Sequence, residues 1–122
     1  MREIKFRVWS KEGEQMMSWD ELLKAPDLDS FMQNPNENGY YSNTMQFTGL
    51  CDKDGKDIYE GDIVKFTYRG GQREKLSIGY SAKSARFQAF GKSGVGYGFD
   101  DSNDMGVIGN IYENPELLEV AK

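Results

Sequence analysis

Six places in the chain carry residue types that could do chemistry, and none completes a motif. Gly91-Lys92-Ser93 has the tail of a phosphate-binding loop, but that loop needs a second glycine at position 86, which is arginine. Gly94, Gly96 and Gly98 alternate and do not give the GxGxxG spacing. Asp52-Lys53-Asp54-Gly55-Lys56-Asp57 carries carboxylates like a calcium loop, but its glycine stands fourth where an EF-hand loop needs it sixth. Asp100-Asp101-Ser102-Asn103-Asp104 is acidic without the closing glutamate. Both clusters read as solvated turns. Glu60 and Asp62 share a strand face and could form a carboxylate pair, yet a better use for Asp62 is to accept hydrogen bonds from turn amides beside Gly61. Cys51 sits among aspartates that raise a thiol pKa, so it reads as a partly buried filler.

The chain has no histidine. That removes the Ser-His-Asp and Cys-His arrangements and the commonest general base near neutral pH. With one thiol and no imidazole, zinc has no ordinary ligand set. We therefore expect no enzyme, no catalytic residue, no metal and no cofactor. One cysteine also forbids an intramolecular disulfide, which fits a reducing cytosol.

Charge is distributed unevenly. Ile63 to Phe99 holds seven basic residues (Lys65, Arg69, Arg73, Lys75, Lys83, Arg86, Lys92) and one acid, Glu74, a balance of +6. The remainder carries −11, giving the chain its net −5. Strand alternation puts Lys65, Arg69, Lys75 and Arg86 on the outer faces of successive strands, near Phe90, Tyr97 and Phe99. Such a face suits a partner protein or a nucleic acid. It is also how sheets stay soluble and blunt their edges. An acidic chain lacks the general field that drives non-specific nucleic-acid binding.

The elements that must position these residues are mostly strands. The 122 residues suffice for one domain or a domain with a subdomain. Aromatics at 13%, with 14 glycines and 3 prolines, favour short strands and tight turns. No run is long and apolar enough to span a membrane, and REIKFRVW lacks the apolar core of a signal peptide. Ile4, Phe6 and Val8 share one face of a first strand, with Lys5, Arg7 and Trp9 on the other. A hairpin bending at Gly13 returns through Gln15–Met17. Ser18 to Glu21 then spells a capping box for a short helix that Pro26 stops. A second helical turn over Asp27–Asn34 and a loop to Gly39 follow. From Met45 onward the pattern is strand, with turns at Gly55, Gly61-Asp62 and Gly70-Gly71. Val64, Phe66 and Tyr68 form one core face, and Leu76, Ile78 and Tyr80 the next. Phe87 and Ala89 alternate with Arg86, Gln88 and Phe90, and Val107–Tyr112 is the last strand. Asn114-Pro115 reads as an N-cap with proline at the first helical position. This predicts a mainly β (α+β) chain. Residues 1–44 would form a hairpin and short-helix subdomain, and residues 45–122 a small SH3-like β-barrel.

Three segments, REIKFRVW (2–9), MQFTGLCDKDGKDIYEGDIV (45–64) and VIGNIYENPELL (107–118), resemble the YopX family of phage and prophage proteins. They span the chain. Lys65 to Gly106 is not distinctive, and nothing is transferred onto it. The resemblance implies a phage or prophage origin, a β-rich fold with an SH3-like barrel and a location in the bacterial host cytoplasm. It implies no reaction and no site residue. Together with the charge split it leads us to expect a non-enzymatic accessory module that binds proteins, including copies of itself. The alternative is a nucleic-acid-binding regulator using the face of Lys65, Arg69, Lys75 and Arg86.

Overall fold

The computed structural model describes residues 3–26, 28, 39–67, 71, 73–91, 96–98 and 105–118. The chain is mainly β, with curled antiparallel sheets and one α-helix among the described residues. It divides into two compact units, Met1–Phe47 and Thr48–Lys122. The division falls inside a strand, Met45–Cys51, rather than before it, because the start of that strand pairs within the first unit.

In the first unit, β1 (Phe6–Ser10) pairs antiparallel with β2 (Gln15–Met17), and Phe6 and Arg7 pair with Gln46 and Met45 of β3 (Met45–Cys51). Glu14, not Gly13, takes the left-handed backbone in the β1–β2 turn, at φ 50°. The helix α1 (Trp19–Lys24) starts as its sequence dictates. Ser18 Oγ accepts from Glu21 N (3.2 Å), and Glu21 Oε1 accepts from Ser18 N (3.4 Å). Its buried Leu22 packs with Val8 against Met17, Trp19, Ala25, Leu28 and Tyr41. The Trp19 ring meets Phe6 edge-on, with centroids 5.7 Å apart. Residues 40–44 run beside β1, where Ser42 N and Trp9 N both bond across. Ile4 does not share the burial of Val8; it is 61% exposed, because the strand begins only at Phe6.

In the second unit, the end of β3 pairs with β4 (Asp57–Tyr59), and a sheet of five strands runs β8-β7-β6-β5-β9. These strands are β5 (Asp62–Thr67), β6 (Arg73–Ser81), β7 (Arg86–Phe90), β8 (Gly96–Tyr97) and β9 (Met105–Asn110). The core is Ile58, Val64, Leu76, Ile78, Ala89 and Met105, with Phe66 and Val107 packed against it. Alternation therefore placed the inner face correctly along β5 and the first part of β6. Tyr80 departs from that reading, at 52% exposed. The β5 pairing with β6 ends at Ser77, so Tyr80 projects beyond the covered part of the sheet, with its ring edge-on to Phe87 at 5.3 Å. Gln88 and Ile63, on the outer side by alternation, are nonetheless buried, and Cys51, expected partly buried, is exposed. The expectations for Tyr68, Arg69, Lys92, Phe99, the loop 100–104 and nearly all of the turn 27–34 lie outside the described residues.

Candidate functional site

The segments with the most polar character turn out to be joints. Asp62 is buried, and its Oδ2 accepts from Tyr59 N at 2.8 Å, the turn-amide role its sequence position suggested. Gly61 before it sits at φ 85°, a region that costs an L-residue roughly 1–2 kcal/mol. Its N–H donates to Ile78 O (2.8 Å) and its carbonyl accepts from Ile111 N (2.9 Å), so one glycine links β4, β6 and the end of β9. Thr48 Oγ1 donates to Ile58 O at 2.8 Å, which is why a threonine is buried in β3.

The acidic turn is built the same way. Asp52 Oδ1 accepts from Asp54 N and Lys56 N, both at 2.9 Å, and Gly55 closes the turn at φ 84°. The other oxygen, Oδ2, accepts from Val107 N at 2.9 Å across 55 residues of sequence. Lys53 N donates to Met105 O (3.0 Å), so the tip of the β3–β4 hairpin docks along the outer edge of β9. Burial pushes the Asp52 carboxyl up, but the N–H donors of Val107, Lys56 and Asp54 and the Lys56 charge together hold it below the ordinary carboxylate value. At the other end of β9, Asn110 Oδ1 accepts from Tyr112 N (3.0 Å) and Glu113 N (2.8 Å). The Asn114 side chain lies against Gly109, where a Cβ would collide with it. Asn114 precedes a 3-10 turn, Pro115–Leu118, whose Leu117 N bonds to its carbonyl.

The basic face is different. Lys65 and Lys75 stand directly opposite each other across β5 and β6, and both are exposed. Direct partners lie about 5 Å apart at Cα, and like charges so placed repel. In water the repulsion stays below about 1 kcal/mol. The structure does not bring Arg86 to them. It opposes Ser81, six residues along β6 from Lys75, or about 20 Å away on the same outer side. There the Gln88 amide oxygen, correctly oriented, accepts from Arg86 Nε (3.1 Å) and Nη2 (3.2 Å). The guanidinium also lies over Gly98. Phe90 stays on the outer side and covers Gly79. Arg69 lies outside the described residues.

Sequence reasoning missed Lys53. On β9, Lys65 pairs with Gly106, and the Lys53 stem crosses that glycine: a Cβ there would sit 3.3 Å from Lys53 Cε. Lys75, Lys65 and Lys53 thus follow one another across β6, β5 and β9. Among the described residues no ion pair joins these lysines to a carboxylate; the ion pair seen there is Lys5 with Glu3, at 3.4 Å. No helix among the described residues is long and apolar enough to cross a membrane.

The family described as YopX protein matches residues 5–119. A crystal structure of protein EF1440 from Enterococcus faecalis is similar over 98% of this chain and 100% of that one, at 27% identity and a TM-score of 0.69. No curated protein matches the chain. With nearly its whole length matched, the chain belongs to the YopX family.

Proposed function

We propose that this protein is a non-enzymatic interaction module of phage or prophage origin that works in the bacterial cytoplasm. It binds proteins, including copies of itself. The second unit serves as an SH3-like barrel, a reading supported by the hairpin tip that closes against β9 and by the Gly61 corner. The observation that carries the proposal is the exposed Lys65–Lys75 pair on the outer side of β5 and β6, in a segment of +6 within a chain whose remainder is −11. Such a split favours contact between copies, since each copy carries both signs. Two of the candidate carboxylates, Asp52 and Asp62, are engaged by backbone N–H groups.

Sedimentation of the full chain over a range of concentrations, at low and high salt, tests this. The expected result is a concentration-dependent oligomer that dissociates as salt rises. A monomer at high concentration and low salt overturns it. The second reading, a nucleic-acid-binding regulator, draws on the same lysines. It predicts oligonucleotide binding that weakens steeply with salt and is lost when Lys65 and Arg86 are both changed to glutamate.

A further inference from the structure

We infer that Lys53, Lys65 and Lys75 form one docking row for carboxylates of a second copy of this chain, those of Glu113 and Glu116 on its last turn. The inference rests on the self-association reading above and names its two surfaces. Lys75 and Lys65 are rooted on adjacent strands and the Lys53 stem reaches in over β9 beside them; strands lie about 4.8 Å apart, so the three side chains cross the sheet within about 10 Å of one another. Lys65 and Lys75 are fixed by sheet register. Lys53 is fixed by its own backbone bond to Met105 and by the empty place at Gly106 that receives its stem. A larger residue at 106 would displace it.

The proposed occupant has matching properties. Glu113 and Glu116 are both exposed, and hydrogen bonds pin the turn between them. Glu113 N is held by Asn110 Oδ1 (2.8 Å), Asn114 N bonds to Asn110 O (2.9 Å), and Pro115 fixes the backbone between the two glutamates. Two pre-ordered surfaces of opposite sign lose little freedom on meeting. A two-fold dimer would use each surface twice, the row of one copy against the turn of the other. A nucleic acid is the weaker match, because the row is short and the whole chain is net −5.

Charge exchange tests the pairing. One variant carries Lys53→Glu, Lys65→Glu and Lys75→Glu; the other carries Glu113→Lys and Glu116→Lys. Each alone should raise the dimer dissociation constant at least about tenfold at low salt, and an equal mixture should regain wild-type affinity as a heterodimer. Urea midpoints confirm that both variants fold. Lys53→Met keeps the stem over Gly106 and removes the charge, and it should weaken association about threefold. If wild type associates but the variants do not change it, or the mixture fails to recover, the pairing is wrong while the self-association reading stands. If wild type is monomeric, both fail. Binding of a labelled single-stranded oligonucleotide by monomeric wild type, lost in the lysine variant, would reassign the row to phosphate and overturn the inference.

Discussion

Asp52 and Lys53 are neighbours in sequence, yet they belong to two regions that use charge in opposite ways. Asp52 is buried and meets three backbone N–H groups, so its charge holds the hairpin tip against β9. Lys53 lies on the outer side, and its ammonium adds to a row of like charge that meets no carboxylate among the described residues. The first arrangement is satisfied internally and contributes to folding. The second costs a little stability and gains nothing until something anionic arrives. Two of the three segments that carry the family likeness, 45–64 and 107–118, are dominated by the first kind. Their polar residues are the joints of the second unit: Thr48, Asp52, Gly61, Asp62, Asn110 and Asn114.

The sharpest way to break this contrast is to remove the joint. Asp52→Ala leaves Val107 N, Asp54 N and Lys56 N without their acceptor, and should cost about 3 kcal/mol in urea unfolding. A loss below about 1 kcal/mol would mean that the hairpin tip is not anchored by this carboxylate. Acid should erode the same contribution. The carboxyl ionises below its ordinary value in the folded chain and at about 3.9 when unfolded. Its stabilisation is therefore complete above about pH 4 and is lost as pH falls through the lowered folded value. Asp52→Asn should flatten that acid limb; an acid limb identical to wild type would place the titration elsewhere.

Next in size is Gly61→Ala. At φ 85° the added Cβ should cost roughly 1–2 kcal/mol, and the two backbone bonds of Gly61 should show earlier hydrogen exchange at Ile111. Wild-type exchange at Ile111 would show that the corner relaxes without disturbing the end of β9.

How far the sequence could reach follows from the same contrast. Local chemistry was readable in the Ser18–Glu21 capping box and the Asp62 turn, which depend on residues within a few positions of each other; Asn114-Pro115 does start the final turn, but the Asn114 side chain reaches back, its Oδ1 accepting from Asn110 N at 3.3 Å. Strand alternation also assigned Val64, Leu76, Ile78 and Ala89 to the core. What it could not give was coverage. Tyr80 lies beyond the end of the β5 pairing, and Gln88 is buried on a side that alternation calls outer, because period-two patterning gives the direction of a side chain and not what lies over it. The row itself was half readable. Lys65 and Lys75 follow from alternation, but Arg86 stands six residues of β6 away, and Lys53 joins only through register between residue 65 and Gly106 and through a turn docked 55 positions along the chain.

The smallest effect separates the two regions most cleanly, because stability and association should move in opposite directions. Lys75→Glu converts a facing like-charge pair into an opposite-charge pair with Lys65. It should raise folding stability by about 0.2–1 kcal/mol while weakening self-association at low salt. At high salt both changes should fade together, since both are exposed electrostatics. A joint residue cannot behave this way: any change at Asp52 or Asp62 that loosens the hairpin tip or corner lowers stability first. A Lys75→Glu variant that unfolds at lower urea than wild type would show that Lys75 is held by an attractive partner within the fold, and the row would then be part of the joint system after all.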